Sequence, residues 1–363
     1  IKRIKGMLLK LRGNFSITIK SEYWVFSFVD RIRSFPIFYS KNSNFIIGNF
    51  AYDIKDLLDL KDLKPDKLSL TAFSMSGYTI GNKTLIKEVL QLEAGGFLLF
   101  HDDKIYTDYY YSYSPWKIKN DSKTKIKNNL SDVIITVIED MYKNVDGRQI
   151  VVPLSAGYDS RLIVSCLKEL SYENVVCFTY GRVGNYEVST SKKVASKLGY
   201  KWIYVQDTWR GKRSFFKSKV YSSYIKEFES YASVPNIQDI YEVYLLKSKN
   251  AIDNNAVIVN GNSGDFISGG HVPKLLDFDE KFSVKNKDVW DLFLEKHYSI
   301  WRKLRNNLND KIIITGLNEI ILNRYSSNTK GDILTYAIFE SMEYIGRQSR
   351  LVANQQRAYE FIK

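Results

Sequence analysis

The feature that most constrains this chain is an alternation of short apolar runs with amphipathic segments between residues 149 and 205. Strands are predicted at 149–154, 175–180 and 202–205, with helices at 160–170 and 187–198 between them and a further apolar strand at 256–259. Strand–helix–strand units place their strands side by side, in one direction and with right-handed crossovers. The order therefore predicts a doubly wound parallel sheet.

The first strand of this sheet runs directly into a loop of small and polar residues, which reads Leu154, Ser155, Ala156, Gly157, Tyr158, Asp159 and Ser160. Small residues let backbone N–H groups approach an anion closely, and the helix that follows adds its positive end. The two serines offer hydroxyl donors. Asp159 beside a phosphate requires a cation between them, and Mg²⁺ suits that role. The alternative is an ordinary helix N-cap turn, which favours the same residue types.

A second loop of the same kind follows the strand at 256–259. It spans 260–271 and contains Gly261, Gly264 and Asp265. Ligands of doubly wound sheets bind at the carboxyl ends of the strands. Asp159 and Asp265 are therefore expected to share metal-bound phosphates, and two such loops are stronger evidence than one.

The remaining chain divides into two further zones. Residues 1–115 contain short β-type runs separated by turn signals, with a late hairpin at 95–103 and short helices expected at 53–60 and 83–91. A polar stretch then precedes an amphipathic helix at 123–143. After about residue 280 the pattern is mainly helical. The predicted domains are 1–115 and 116–363.

Net charge, cysteine spacing and the length of apolar stretches limit the kinds of partner and cellular setting that we expect. The net charge is +13, but the basic residues are dispersed, so no nucleic-acid partner is expected. Cys166 and Cys177 match no metal spacing and are interpreted as small buried residues in a reducing, cytoplasmic setting. No apolar stretch is long enough for a membrane span. Because the chain opens at Ile1, we expect a piece of a longer protein or a processed N-terminus.

Taken together, these segments resemble the asparagine synthetase family. The loop 154–160 is similar to its S-G-G-x-D-S loop, 178–181 with Glu187 to its second-strand segment, and 261–270 to its G-E-G-x-D-E-x-x-x-G loop. Upstream, 12–15 and 29–39 resemble the end of a class II glutaminase domain. The resemblance implies a truncated N-terminal Ntn-hydrolase-like β-rich sandwich, then an adenine nucleotide α-hydrolase-like ATP pyrophosphatase domain with a helical C-terminal part.

The resemblance also implies a chemistry. ATP and Mg²⁺ would be the cofactors, with Asp159 and Asp265 as catalytic metal ligands. The nucleotide contacts carried over are Leu154, Ser155, Ala156, Gly157, Ser160, Tyr180, Gly181 and Gly261. A small-molecule or sugar carboxylate would be adenylated and then converted to an amide by ammonia, free or from glutamine. AMP and pyrophosphate would be released. The sequence leaves open whether the protein forms a homodimer.

Departures from the family pattern limit the substrate. Ala156 replaces a loop glycine, Phe266 a second acid, and Asn262 the family glutamate associated with amide formation. The glutaminase nucleophilic cysteine is not present in the sequence. These departures favour a divergent acceptor over aspartate. Two alternatives remain: an ATP pyrophosphatase acting in tRNA modification, and a non-catalytic nucleotide-binding protein.

Overall fold

The computed structural model describes residues 2–42, 44–60, 64–115, 121–206, 208–228, 230–274, 276, 287–325 and 334–361. The chain forms two compact units. Unit 1 comprises Ile1–Lys117, Ile225–Pro235 and Gly270–Arg357, and unit 2 comprises Ile118–Tyr224, Asn236–Gly269 and Ala358–Lys363. The sequence division into 1–115 and 116–363 differs from this grouping, since residues 270–357 fall in unit 1.

The strands are β1 (Ser16–Lys20), β2 (Trp24–Val29), β3 (Phe38–Lys41), β4 (Phe45–Gly48), β5 (Leu90–Gln91), β6 (Gly96–His101), β7 (Lys104–Tyr109), β8 (Ile150–Pro153), β9 (Val175–Gly181), β10 (Lys201–Gln206) and β11 (Val257–Ile258). The α-helices are α1 (Lys2–Leu8), α2 (Ala51–Leu57), α3 (Lys67–Ser76), α4 (Lys123–Val145), α5 (Tyr158–Glu169), α6 (Tyr186–Leu198), α7 (Trp209–Phe215), α8 (Lys219–Phe228), α9 (Ile240–Ser248), α10 (Gly264–Ile267), α11 (Lys287–His297), α12 (Asn307–Tyr325), α13 (Thr335–Met342) and α14 (Ala353–Gln356). Short 3₁₀ segments lie at Arg302–Leu304 and Arg357–Glu360, and a π-helix lies at Glu343–Val352.

Unit 2 is built on a four-stranded parallel sheet in the order β10-β9-β8-β11. Its central strands are apolar on both faces, and Val151, Val152 and Cys177 are fully buried. That pattern suits a parallel sheet covered on both sides. The predicted doubly wound parallel sheet is therefore confirmed.

The strand order places a switch point beside β8. The chain winds from β8 to β9 and β10 on one side and then returns to add β11 on the other. In doubly wound sheets, ligands bind beyond the carboxyl ends of the strands at such a switch point. Both predicted loops begin there, one after β8 and one after β11.

Helix boundaries around the sheet follow local capping chemistry. The Asn185 side chain accepts a hydrogen bond from the Glu187 amide at the start of α6 (3.1 Å). Gly199 ends that helix in the left-handed conformation (φ 75°), as glycine does without steric cost. The predicted helices at 123–143, 160–170 and 187–198 correspond to α4, α5 and α6.

Unit 1 contains two antiparallel sheets, with orders β1-β2-β6-β7 and β4-β3-β5. The predicted hairpin is β6-β7, whose turn places Asp102 and Asp103 at φ 49° and 57°. Two successive positive φ values are what a tight hairpin turn of matching twist requires. The β-rich character predicted for the N-terminal part is confirmed, whereas its Ntn-hydrolase-like identity stays a prediction.

One predicted helix, at 83–91, is wrong. The Thr84 hydroxyl donates to the carbonyl oxygens of Ile86 (2.9 Å) and Val89 (2.7 Å), and it accepts from the Ile86 amide. Such local bonds compete with helix formation. Leu90 and Gln91 then pair as β5 with β3. The helix that precedes this segment is α3 (Lys67–Ser76), which Asp66 caps by accepting a hydrogen bond from the Ser69 amide.

Two further expectations concern the cysteines and the membrane. Cys166 and Cys177 are buried and free, and burial raises the pKa of the Cys177 thiol to about 12. A thiol held in the neutral form behaves as a small apolar side chain.

Of the helices that the structure describes, none is long and apolar enough to cross a membrane.

The core of unit 2 provides the first testable prediction. Leu167 of α5 is fully buried in the cluster that surrounds β8 and β9. Leu167→Ala should lower the free energy of unfolding by about 2–5 kcal/mol, because it removes buried methyl groups and leaves a cavity. Urea titration of the purified protein measures this. Leu162 lies on the same helix and is 47% exposed, so Leu162→Ala is the matched control and should lower the free energy of unfolding far less. Equal losses of unfolding free energy in the two variants would contradict the packing of Leu167.

Candidate functional site

A cavity of about 520 Å³ opens at the carboxyl ends of β8, β9 and β11, at the switch point of the sheet. Its volume lies within the range of about 300–1,000 Å³ typical of small-molecule sites. Its lining residues all belong to unit 2. They are Pro153, Leu154, Ser155, Gly157, Asp159, Ser160, Phe178, Thr179, Tyr180, Gly181, Asn185, Glu187, Asn236, Gln238, Asp239, Asn260, Gly261, Asn262 and Tyr359.

The loop after β8 is held in shape by its own serines. The Leu154 amide still donates to the Phe178 carbonyl (2.8 Å), which extends the pairing of β8 with β9 by one bond. The Ser155 amide then donates to Ser160 Oγ (3.1 Å), and the two serine hydroxyls lie 3.1 Å apart. The Gly157 amide donates to Ser155 Oγ (3.0 Å). These bonds turn the chain sharply from the strand into α5.

Helix α5 begins at this turn without a side-chain cap. Gly157 is its N-cap residue, and no capping hydrogen bond to a side chain forms there within the described chain. The amides of the first helical turn then have no partner in the helix, which makes the start of α5 a ready anion site. An ordinary capped turn, the alternative that the sequence left open, would place a side-chain oxygen on those amides.

The loop after β11 packs directly against Asp159. A Cβ atom added to Gly261 would lie 2.9 Å from Asp159 Cβ and 2.9 Å from the Ser160 amide nitrogen. A Cβ atom added to Gly264 would overlap the Asp159 carboxylate. Both positions therefore require glycine because the two loops meet at Asp159. The sequence anticipated loops from neighbouring strand ends, but it could not show how closely they approach.

Most of the predicted site residues line this one cavity: Leu154, Ser155, Gly157, Asp159, Ser160, Tyr180, Gly181 and Gly261. Two do not. The Ala156 amide donates to the Glu187 carboxylate, and Asp265 lies exposed in the first turn of α10. Asn262, at the position of the family glutamate, also lines the cavity.

Glu187 is a positioning residue for the first loop. It lies in the first turn of α6, and its carboxylate accepts a hydrogen bond from the Ala156 amide in the loop that follows β8. The hydroxyl of Thr179 ties the same strand ends together by donating to the Leu154 carbonyl (2.6 Å), and it lies 2.7 Å from the Ser191 hydroxyl of α6. The loop after β8 is thus held by hydrogen bonds from both β9 and α6.

A further group of cavity-lining residues was not predicted from the sequence. We call it the Asp239 wall, and it consists of Asn236, Gln238, Asp239, Asn260 and Tyr359. The Tyr359 hydroxyl donates to Asp239 Oδ2 (2.7 Å), and the Asn236 side-chain amide donates to Asp239 Oδ1 (3.3 Å). The Asn260 side-chain amide donates to the Tyr359 oxygen (3.4 Å). A hydrogen-bonded chain therefore runs from the β11 loop to Asp239.

Burial governs the protonation of this wall. Asp239 is 7% exposed, and loss of solvent raises the pKa of its carboxyl group above the usual value, although the bonds from Tyr359 and Asn236 act in the opposite direction. Burial, and then the nearby Asp239 charge, raise the pKa of the Tyr359 hydroxyl. Tyr359 consequently remains a neutral donor at physiological pH.

Asp239 is hard to identify from the sequence because it looks like a helix cap. It is the N-cap residue of α9, where Asp is common, but its side chain makes no capping bond within the described chain. The carboxylate turns into the cavity instead. Tyr359 comes from a 3₁₀ segment 120 residues further on, so no local pattern connects the two.

The charges around the cavity are one-sided. Its described lining contains the carboxylates Asp159, Glu187 and Asp239 but no Lys, Arg or His side chain. Lys212 lies nearby, 5.7 Å from the centre of the Tyr180 ring, and forms an ion pair with the fully buried Glu242 (3.0 Å). Backbone dipoles at the start of α5 are the positive groups that the described lining itself offers to an anion.

Comparisons with known proteins give little further information. No protein-family model matches the chain, and no curated protein matches it either. Among solved structures, an NH3-dependent NAD synthetase from Campylobacter jejuni aligns at 13% identity and a TM-score of 0.24, covering 56% of this chain and 97% of that one. A glutamine-dependent NAD+ synthetase from Acinetobacter baumannii, in complex with ADP, aligns at 12% identity and a TM-score of 0.28, covering 88% and 75%. TM-scores this low carry no argument about this chain.

The contact between the two loops generates a prediction. Gly264→Ala should lower the free energy of unfolding by about 1–3 kcal/mol, because the new methyl group overlaps the Asp159 carboxylate and the loops must separate. Chemical denaturation measures the change. Gly6→Ala in α1, where no described heavy atom lies within 4 Å of the added Cβ, is the control and should cause no loss. A Gly264→Ala protein as stable as the parent would contradict the close approach of the loops.

Proposed function

We propose that this protein is an ATP-dependent carbon–nitrogen ligase that adenylates a substrate carboxylate and then converts it to an amide. The observation that carries the proposal is the uncapped start of α5 beside Asp159, at the switch point of a parallel sheet and within a cavity of about 520 Å³. The resemblance of both loops to those of the asparagine synthetase family supports the same chemistry. Aspartate is not the acceptor we favour, because Asn262 stands where that family has glutamate.

The first loop and α5 would bind the phosphates of ATP. The first-turn amides of α5 and the hydroxyls of Ser155 and Ser160 are the donors on this side of the cavity. Because no basic side chain lines the described part of the cavity, a divalent cation is needed to offset the remaining charge. The backbone around Tyr180 and Gly181, at the end of β9, is where we place the adenine.

Asp159 fits the role of the Mg²⁺ ligand. Mg²⁺ is usually held by one or two carboxylates together with substrate phosphates. In the described residues no group of three or more His, Cys, Asp or Glu side chains could form a metal cage, which agrees with a site completed by phosphate. Asp265, exposed and outside the described cavity lining, is at most an outer partner. When bound, Mg²⁺ would neutralise phosphate charge and help pyrophosphate to leave.

The reaction then follows from positioning. A carboxylate oxygen attacks the α-phosphorus of ATP, the bond to the β-phosphate oxygen breaks, and pyrophosphate leaves. Ammonia, free or released from glutamine, attacks the carbonyl carbon of the acyl-adenylate, loses a proton, and expels AMP. The protein contributes orientation of the two reactants and stabilisation of the charge that develops on phosphate.

The nucleotide site is tested by Asp159→Ala. Isothermal titration with Mg²⁺ and ATP should show affinity lower by roughly tenfold or more in the variant, because the carboxylate that holds the cation is lost. Chelation of Mg²⁺ should weaken binding to the wild-type protein in the same direction. Asp132→Ala, an exposed carboxylate on α4, is the matched control. Equal affinity of Asp159→Ala and wild type would rule out this site.

Turnover is a separate prediction. With Mg²⁺, ATP, ammonium and a panel of carboxylic acids, at least one acceptor should give AMP and pyrophosphate in equal amounts. The products are measured by chromatography, with reactions that lack the acceptor as the control. Release of ADP and inorganic phosphate would contradict the proposed bond cleavage. Nucleotide binding without any pyrophosphate release would support a non-catalytic nucleotide-binding protein instead.

A further inference from the structure

The Asp239 wall faces the same cavity as the phosphate loop but has a different chemistry. Its side chains are carboxamides, a phenol and one carboxylate, joined by the hydrogen-bonded chain from Asn260 through Tyr359 to Asp239. Asp239 Oδ2 accepts from Tyr359 and Oδ1 from Asn236, and the residue's own backbone N–H also bonds the carboxylate, which has about four acceptor positions in all. The wall therefore retains acceptor capacity towards a ligand.

Charge excludes anionic groups from this wall. Asp239 is buried, and the described cavity lining offers no basic side chain; the charge of nearby Lys212 acts on Asp239, but Lys212 already forms an ion pair with Glu242. A phosphate or carboxylate placed against Asp239 would meet like-charge repulsion in a poorly solvated site. The triphosphate must consequently lie on the α5 side, and any acceptor must present an uncharged or cationic group here.

The carboxamides favour an uncharged group over a cation. An ammonium group only donates hydrogen bonds, so it would bond to Asp239 but could not accept from the side-chain amide of Gln238, which is exposed to solvent. A hydroxyl group both donates and accepts. Neighbouring hydroxyl groups on one ring could each donate to or accept from the carboxylate, phenol and amide groups that lie side by side in the wall.

We infer that the Asp239 wall is a subsite for a neutral group bearing adjacent hydroxyls, either the ribose of the nucleotide or a sugar-like part of the acceptor. Asp239 accepts the hydroxyl protons as hydrogen bonds, and Tyr359 and Asn236 hold the carboxylate in place. A second carboxylate on the acceptor is excluded. The inference rests on the proposed function, because it takes the phosphate loop as the nucleotide end of the cavity.

The ribose source is tested by titrating ATP, 2′-deoxy-ATP and 3′-deoxy-ATP, each with Mg²⁺, into wild type, Asp239→Asn and Tyr359→Phe. If ribose occupies the wall, wild type should prefer ATP over a deoxy analogue by roughly tenfold, the scale of one hydrogen bond to a charged group. Asp239→Asn should remove that preference while retaining the affinity for the deoxy analogue.

The acceptor source is tested on protein saturated with Mg²⁺ and a non-hydrolysable ATP analogue. The probes are D-glucuronate, succinate and β-alanine, which carry hydroxyls, a second carboxylate and an ammonium group respectively. If the acceptor occupies the wall, D-glucuronate should bind most tightly, and Asp239→Asn should weaken it by roughly tenfold without changing the affinity for the nucleotide. Saturation-transfer NMR or calorimetry measures these affinities.

Two controls keep the result interpretable. Glu173→Gln removes an exposed carboxylate of the same unit, and Tyr200→Phe removes a buried tyrosine hydroxyl that bonds the Tyr172 carbonyl away from the cavity. Both should bind all probes like wild type, and thermal melting checks that each variant is folded. A loss shared by Tyr359→Phe and Tyr200→Phe would overturn the inference, since it would reflect stability alone.

Two other outcomes would also overturn it. One is that Asp239→Asn and Tyr359→Phe change neither the ribose preference nor D-glucuronate binding. The other is that wild type shows no preference for ATP over either deoxy analogue while succinate or β-alanine binds as tightly as D-glucuronate. If wild type binds no nucleotide, the proposed function fails, and the wall is then judged by titrating the same acceptor probes into wild type and Asp239→Asn without nucleotide.

Discussion

The contact of Asp159 with the glycines of the neighbouring loop is the interaction on which the rest of the site depends. It joins the ends of β8 and β11 at the one place where the sheet changes winding direction. Two glycines are needed because Asp159 occupies the space that a side chain would fill. The carboxylate is thereby fixed beside the uncapped start of α5, and a cation held there would meet phosphates bound by the helix.

The cavity divides into two chemically different sides. The α5 side carries helix amides, serine hydroxyls and Asp159, and it suits an anion together with a metal ion. The Asp239 side carries a buried carboxylate held by Tyr359 and Asn236, and it suits neutral hydroxyl groups. With no basic side chain in the described lining, neither side could take an anion without a compensating cation. In the proposed function, this asymmetry would place the phosphates of the nucleotide on the α5 side.

The sequence predicted the parallel sheet and the first loop because both depend on local patterns. Strands such as 149–154 are continuous apolar runs, and the loop 154–160 is a compact motif. The Asp239 wall was missed because it is assembled from a helix N-cap, a loop and a distant 3₁₀ segment. The role of Asp265 stays a prediction: it fills the expected motif position, while its side chain lies exposed and outside the described cavity lining. The helix predicted at 83–91 does not form because the Thr84 hydroxyl bonds the carbonyl oxygens of Ile86 and Val89, and hydrophobic periodicity does not reveal such side-chain bonds.

The central claim is that Mg²⁺-ATP binds at the β8–β11 switch point with its phosphates on α5. A crystal structure of the protein with Mg²⁺ and a non-hydrolysable ATP analogue tests it most directly. We expect phosphate oxygens within hydrogen-bond distance of the first-turn amides of α5 and a metal ion between them and the Asp159 carboxylate. A nucleotide bound elsewhere, or one whose phosphates point away from Asp159, would contradict it.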